Sequence, residues 1–173
     1  KDVVGIELPP LKRTIVTVPW SSEAEKQLAE DIHVHLQFSR LENGREDNPF
    51  ANLGFHHFAM LQRARQSCID MGLMKKNIEK LMALEVIDKT YLVEEAMGYH
   101  SKIDRVVEII SERKDNKRAK LVFCHYHMEI DRVVDSLLNL GLSVGKFDSR
   151  VSQEERREML EREDLDALVL QIK

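Results

Sequence analysis

The run KLVFCHYHMEIDRVVDSLLNLGLSVGKFDSRVSQEERREMLEREDLDALVLQIK, Lys120 to Lys173, decides the fold. It opens with a short apolar run, Leu121-Val122-Phe123. It then passes into a segment where Ile130, Val133, Val134, Leu137 and Leu138 recur at three- and four-residue steps, the period of a helix with one apolar face. Asn139-Leu140-Gly141 stops that helix, and Leu142 to Phe147 reads as a second strand. Ser152-Gln153-Glu154-Glu155 has the spacing of a capping box, with a hydroxyl for the third amide and a carboxylate reaching back, so a new helix begins there. Ala167 to Ile172 is apolar without alternation, as in strands covered on both faces. Strand, helix, strand, helix, strand predicts an α/β unit with a parallel sheet wound by right-handed crossovers.

Working outward, 173 residues are enough for one domain, or for one domain and a smaller appendage, and an apolar fraction of 43% is enough for a core. The formal net charge of -4 excludes a uniformly basic coat, so any nucleic-acid contact must be local. No apolar run is long enough to span a bilayer and no signal-peptide pattern opens the chain, so the expected location is nuclear or cytoplasmic, with no membrane partner. Cys68 and Cys124 lie in apolar periodic segments and read as small buried hydrophobes of a reducing compartment. Lys1 is not an initiator methionine and Lys173 directly follows a core strand, so the chain is expected to be a piece of a longer polypeptide.

The first half is mainly helical. Leu8-Pro9-Pro10-Leu11 is an extended lead-in, and Thr14-Ile15-Val16-Thr17-Val18 alternates like a strand. Ser22-Glu23-Ala24-Glu25 predicts a capping box, opening a helix from about Ser22 to Leu41. Glu42 to Leu53 is the clearest loop. Phe58, Leu61, Ala64 and Cys68 are expected to line one side of a helix ending at Gly72, and Met74 to Glu85 a shorter one with Ile78, Leu81 and Met82 inward. Ser101 is expected to cap a helix with Ile103, Val106, Val107 and Ile110 facing the core, and the basic run Arg113 to Lys120 offers cations to phosphates but reads first as a solvated loop of both charge signs. Two parts result: 1–99, a leading strand and helical insertion, and 100–173, the α/β unit.

In this order the segments resemble the second motor lobe of the Swi/Snf family of ATP-dependent DNA translocases, within helicase superfamily two. Leu8-Pro9-Pro10, a strand, and Ser22 to Glu25 match the family's Leu-Pro-Pro and Ser-x-x-Glu. Leu61-Gln62-Arg63-Ala64-Arg65-Gln66-Ser67-Cys68 is similar to its Leu-x-x-Leu-Arg-Gln-x-Cys helix, and Ser101-Lys102 to its Ser-Lys pair. Leu121-Val122-Phe123-Cys124-His125-Tyr126 corresponds to Leu-Val-Phe-Ser-Gln-Phe, and Phe147-Asp148-Ser149-Arg150 to Leu-Asp-Gly-Ser. The chain stops inside the fifth motif at Gln171-Ile172-Lys173. It departs from the pattern at Asp70-Met71, where the family has His-Pro, and at Ser149, where it has glycine.

The resemblance implies a RecA-like parallel sheet flanked by helices, incomplete at its C-terminal end, and a motor that hydrolyses ATP to translocate on double-stranded DNA and remodel protein–DNA complexes. It implies contacts to the DNA backbone, not to particular bases, from the carboxyl ends of the strands: His125, Tyr126, Ser149, Arg150, Gln171 and Lys173. Arg63, Arg65 and Gln66 are the residues it offers for contact with the first motor lobe. ATP and magnesium would be held mainly by the first lobe and by an arginine motif further on. The glycine-rich phosphate loop, the acidic metal pair and the arginine finger are missing, so no catalytic residue lies in this chain and the chain alone is expected to be inactive.

Plainer readings stand beside these. His125 and Tyr126 also suit a turn that closes the core edge, Ser152 a helix cap, Asp148 a turn, and Arg63 and Arg65 surface ion pairs. His33-x-His35 and His125-x-His127 lack a third ligand at a suitable spacing, so no metal site is expected. The rival to the motor is a non-catalytic α/β protein-interaction module that kept the fold of a helicase lobe.

Overall fold

The computed structural model describes residues 10–35, 54–83, 90–116 and 118–172. The C-terminal part contains three strands, β1 (Lys120–Cys124), β2 (Val144–Phe147) and β3 (Ala167–Gln171), in one parallel sheet of order β1-β3-β2. The unbroken apolar run of β3 follows from cover on both faces: Ala167 and Val169 are buried on one and Leu168 on the other. Lys120 lies opposite Ala167 and Cys124 opposite Gln171 on one side, and Val144 opposite Ala167 on the other.

Two helices, α5 (Ser101–Glu112) and α6 (His127–Asn139), cover one face of this sheet. Ile103, Val107 and Ile110 from α5 meet Ile130, Val133, Val134 and Leu137 from α6 over Cys124, Ala167 and Val169. Each such aliphatic side chain taken fully out of water stabilises the fold by about 1.5–3 kcal/mol. The end of α6 follows the sequence: Gly141 takes φ 72, its amide bonds to Leu138 O at 2.9 Å, and Leu142 N–H bonds to Leu137 O at 3.2 Å. That paired pattern with a left-handed glycine is a Schellman stop, and Leu137 and Leu142 are both buried beside it. Beyond β2, α7 (Gln153–Glu161) begins with the expected box: Glu155 N–H donates to Ser152 Oγ at 3.2 Å, and Ser152 N–H to the Glu155 carboxylate at 2.8 Å. Met159 from α7 lies over Gly145 on the second face of the sheet.

The N-terminal part is a helical unit of α1 (Glu23–His35), α2 (Gly54–Ile69), α3 (Lys75–Ala83) and α4 (Thr90–Ala96). Its core is Leu28 and Ile32 of α1, Met71 and Met74 from a short 3-10 turn, Ile78 of α3, and Val93 and Ala96 of α4.

Several expectations change here. Thr14 to Val18 forms no strand: the segment lacks a sheet partner among the described residues, and Ile15 is 81% exposed. Alternation gives a strand only where a neighbouring strand and a covered face exist. The box at Ser22 is rearranged. Ser22 Oγ accepts from Ala24 N–H at 3.0 Å, while the Glu25 carboxylate, buried, serves Ser101 N–H at 3.2 Å and the Ser101 hydroxyl. Ser101 is consequently the first residue of α5 and not its cap; His100 holds that position. On α2 the inward side is Ala64 and Ser67, whereas Phe58 and Leu61 are exposed. That helix ends at Ile69, and Gly72 sits within the 3-10 turn, because the Asp70 carboxylate accepts Gly72 N–H at 2.7 Å and redirects the chain. The expected loop Glu42 to Leu53, the last residues of the first predicted helix, and the Leu8-Pro9 lead-in lie outside the described residues, as does the side chain of Leu81.

Candidate nucleic-acid interface

Parallel strands release their chains at one edge of the sheet, where Cys124, Phe147 and Gln171 end β1, β2 and β3. Three side chains meet there. His127, in the first turn of α6, places Nε2 3.1 Å from Ser149 Oγ and 3.2 Å from Gln171 Oε1. Ser149 N–H donates to the same Gln171 oxygen at 3.4 Å, and Gln171 Nε2 donates to the His125 carbonyl at 3.4 Å. An amide oxygen only accepts, so the hydrogen resides on His127 Nε2 and Ser149 is left with its own hydroxyl proton to donate outward. Ser149 is exposed.

The start of α6 supplies further donors. Glu129 folds back so that its carboxylate accepts His125 N–H at 2.9 Å and Tyr126 N–H at 3.2 Å. The first intrahelical bond runs from Ile130 N–H to Tyr126 O, so the His127 and Met128 amides precede the ladder, at the end of the helix that favours anions.

Beside this cluster stands a group of charges. Arg150 spans two carboxylates, reaching Asp131 of α6 at 2.7 and 2.8 Å and Asp148 through Nε at 3.1 and 3.2 Å. Lys146 reaches Asp131 at 3.3 Å. The Arg150 hydrogen bonds hold the Asp148 carboxyl down to about 2 and keep that of Asp131 below its ordinary range, while the two carboxylates raise Arg150 itself. Asp148 is also the turn former, accepting Arg150 N–H at 2.8 Å. Arg156 donates to the Asp148 carbonyl at 2.6 Å and stacks over Phe147, its carbon 4.9 Å from the ring centre.

The structure thus brings Ser149, Gln171 and the His125 backbone together, with Arg150 adjacent but bound by two acids. Tyr126 points elsewhere: its hydroxyl donates to Gln62 of α2 at 2.9 Å. Lys173 lies outside the described residues. Arg63 bonds Gln66 one turn along α2 at 3.3 Å, and Arg65 is exposed on the same helix. Sequence reading missed His127, which it weighed only as a metal ligand, and Asp131, whose spacing to Arg150 carries no local signal. Among the described residues no three histidine, cysteine or acidic side chains are grouped as metal ligands.

The three-stranded parallel sheet flanked by helices matches the fold of a RecA-like helicase lobe. No protein-family model matches the chain, and no curated protein matches it. Among solved structures it is similar to the Hef helicase domain of Pyrococcus furiosus, with a TM-score of 0.53 and 18% identity over 87% of this chain and 43% of that one. The likeness is one of fold, and the chain spans less than half the length of that relative. Among the described residues no helix is long and apolar enough to cross a membrane.

Proposed function

We propose that the chain is the second lobe of a Swi/Snf-type motor that moves along double-stranded DNA at the expense of ATP, and that its strand ends contact the DNA backbone. The observation that carries this is the cluster of Ser149, His127 and Gln171 beside the first amides of α6. It offers an outward hydroxyl and helix-end N–H groups to one phosphate. The helicase-lobe fold and the order of the sequence motifs support the same reading. Arg150 joins such a contact only by exchanging a carboxylate for a phosphate, since Asp131 and Asp148 hold its guanidinium.

The residues present do not fit an ATP site by themselves. The sequence has no glycine-rich loop ending in Gly-Lys-Ser or Gly-Lys-Thr, and the cations at the sheet edge, Arg150 and Arg156, are engaged with Asp148. ATP and magnesium belong to the rest of the motor, with the first lobe as partner. The test is ATP hydrolysis by the longer polypeptide with and without duplex DNA. Stimulation by duplex that Ser149→Ala with His127→Ala abolishes supports the motor. A folded protein that duplex does not stimulate refutes it and favours an interaction module, a reading to which the exposed Leu121 (59%) and Phe123 (57%) on β1 lend weight.

A further inference from the structure

Cys68 and His33 belong to the helical unit and take no part in the strand-end site. Ser67, the residue before Cys68 in the last turn of α2, donates its hydroxyl proton to Ala64 O at 2.9 Å. With that proton committed, Ser67 Oγ meets His33 Nε2 at 3.1 Å as an acceptor, which places a hydrogen on Nε2. The same nitrogen lies 3.4 Å from Cys68 Sγ. A protonated Nε2 has no lone pair for the thiol proton, so the sulfur does not give its proton to the ring and at most shares with Ser67 Oγ the one hydrogen that Nε2 carries.

Cys68 is only half-buried and opens on a hollow of about 500 Å3 lined by His33, Leu61, Ala64, Ile69, Arg65 and Lys102. Arg65 and Lys102 are exposed, and neither has an ion-pair partner among the described residues. A thiol, the His33 nitrogen beside it, an apolar floor and two cations without an ion-pair partner among the described residues thus line one hollow. We propose that Cys68 is a modifiable thiol that forms a mixed disulfide with a small disulfide bearing carboxylates, its apolar part in the hollow and its carboxylates on Arg65 and Lys102.

In that exchange the Cys68 sulfur releases its proton to solvent and attacks one sulfur of the incoming disulfide. The new S–S bond forms as the old one breaks, and the departing half leaves with the electron pair as a thiolate, so Cys68 is oxidised and the departing half reduced. Negative charge is shared along three sulfurs in the transition state. The His33 nitrogen beside the sulfur and the two cations lining the hollow are the groups that would balance that charge. Cys124 supplies an internal control: it is 2% exposed, and burial pushes its thiol up to about 12. The proposal is independent of the DNA reading.

The experiment compares thiol release from two probes, dithiobis(nitrobenzoate), which carries carboxylates, and dithiodipyridine, which is neutral. Rates are followed on the folded protein with the adduct located by peptide mass. One equivalent is expected to react rapidly, on Cys68. Arg65→Ala with Lys102→Ala, both exposed changes, should slow the anionic probe about tenfold and the neutral one hardly at all, since only the former loses charge pairing. His33→Gln should slow both. An adduct on Cys124, no adduct without unfolding, or equal effects of the double variant on the two probes would overturn the proposal, and the wild-type labelling pattern decides it even where His33→Gln folds poorly.

Discussion

Asp148 directly follows β2, with its side chain out of solvent and its charge balanced by Arg150. A carboxyl held down to about 2 in the folded chain contributes stability that is complete above its ordinary value near 4 and is lost as pH falls from there through the folded value. Asp148→Asn is therefore expected to be less stable than the wild type at neutral pH, with the gap closing toward pH 2. Denaturant midpoints across that range check it, and a penalty unchanged in acid would contradict it. Gly145 makes a second prediction. A Cβ there would meet Leu168 Cδ1 and Met159 Sδ at 2.8 Å, so Gly145→Ala should cost about 1–2 kcal/mol in chemical denaturation, with the flexible methionine absorbing part of the overlap. At this scale the sequence was read well where chemistry is local, as at Asp148 in its turn and Ser152 in its box. It was read poorly where partners are distant: nothing near His127 announces Ser149 or Gln171, 22 and 44 residues away.

Among the elements, the three strands and the helices between them were legible, because unbroken apolar runs and the three-and-four spacing of Ile130, Val133, Val134 and Leu137 admit few other structures. The N-terminal half was harder. The alternation of Thr14 to Val18 signals a strand only if another strand is at hand, and the box expected at Ser22 loses its glutamate because Glu25 satisfies a second helix, α5. Start signals thus compete once helices pack together. The start of α6 makes the prediction proper to this scale. Glu129→Ala removes the acceptor of two amides, and the loss of about 1 kcal/mol expected for such a cap should lower Tm by roughly 2–4 °C for a chain of this size. A Tm within error of the wild type would show that the two amides find other acceptors.

Across the whole molecule, the helical unit and the sheet unit keep separate cores joined by polar ties. The Asp70 carboxylate, fully buried, lies 2.7 Å from Arg132 Nε of α6 and 3.3 Å from His100 Nδ1, while Arg132 also reaches His100. Glu25 with Ser101, and Tyr126 with Gln62, add to the joint. Asp70 stands where the Swi/Snf pattern that the sequence resembles has histidine, and here it pairs with Arg132. Asp70→Ala should destabilise the protein by about 2 kcal/mol, less than for a fully buried pair because Arg132 is one-third exposed, and adding Arg132→Met should recover part of the loss. Denaturation of the single and double variants checks this. Equal losses would mean that the pair contributes nothing beyond packing.

The proposed contact is between the carboxyl edge of the sheet and a DNA backbone. Its most direct measurement is equilibrium binding of the protein to duplexes of two unrelated sequences over a range of salt, for the wild type and for His127→Ala with Ser149→Ala. Equal affinity for both sequences, affinity that falls as salt rises, and a loss of about tenfold in the variant are expected. A folded protein that ignores duplex DNA, or binds it equally well without those two side chains, would contradict it.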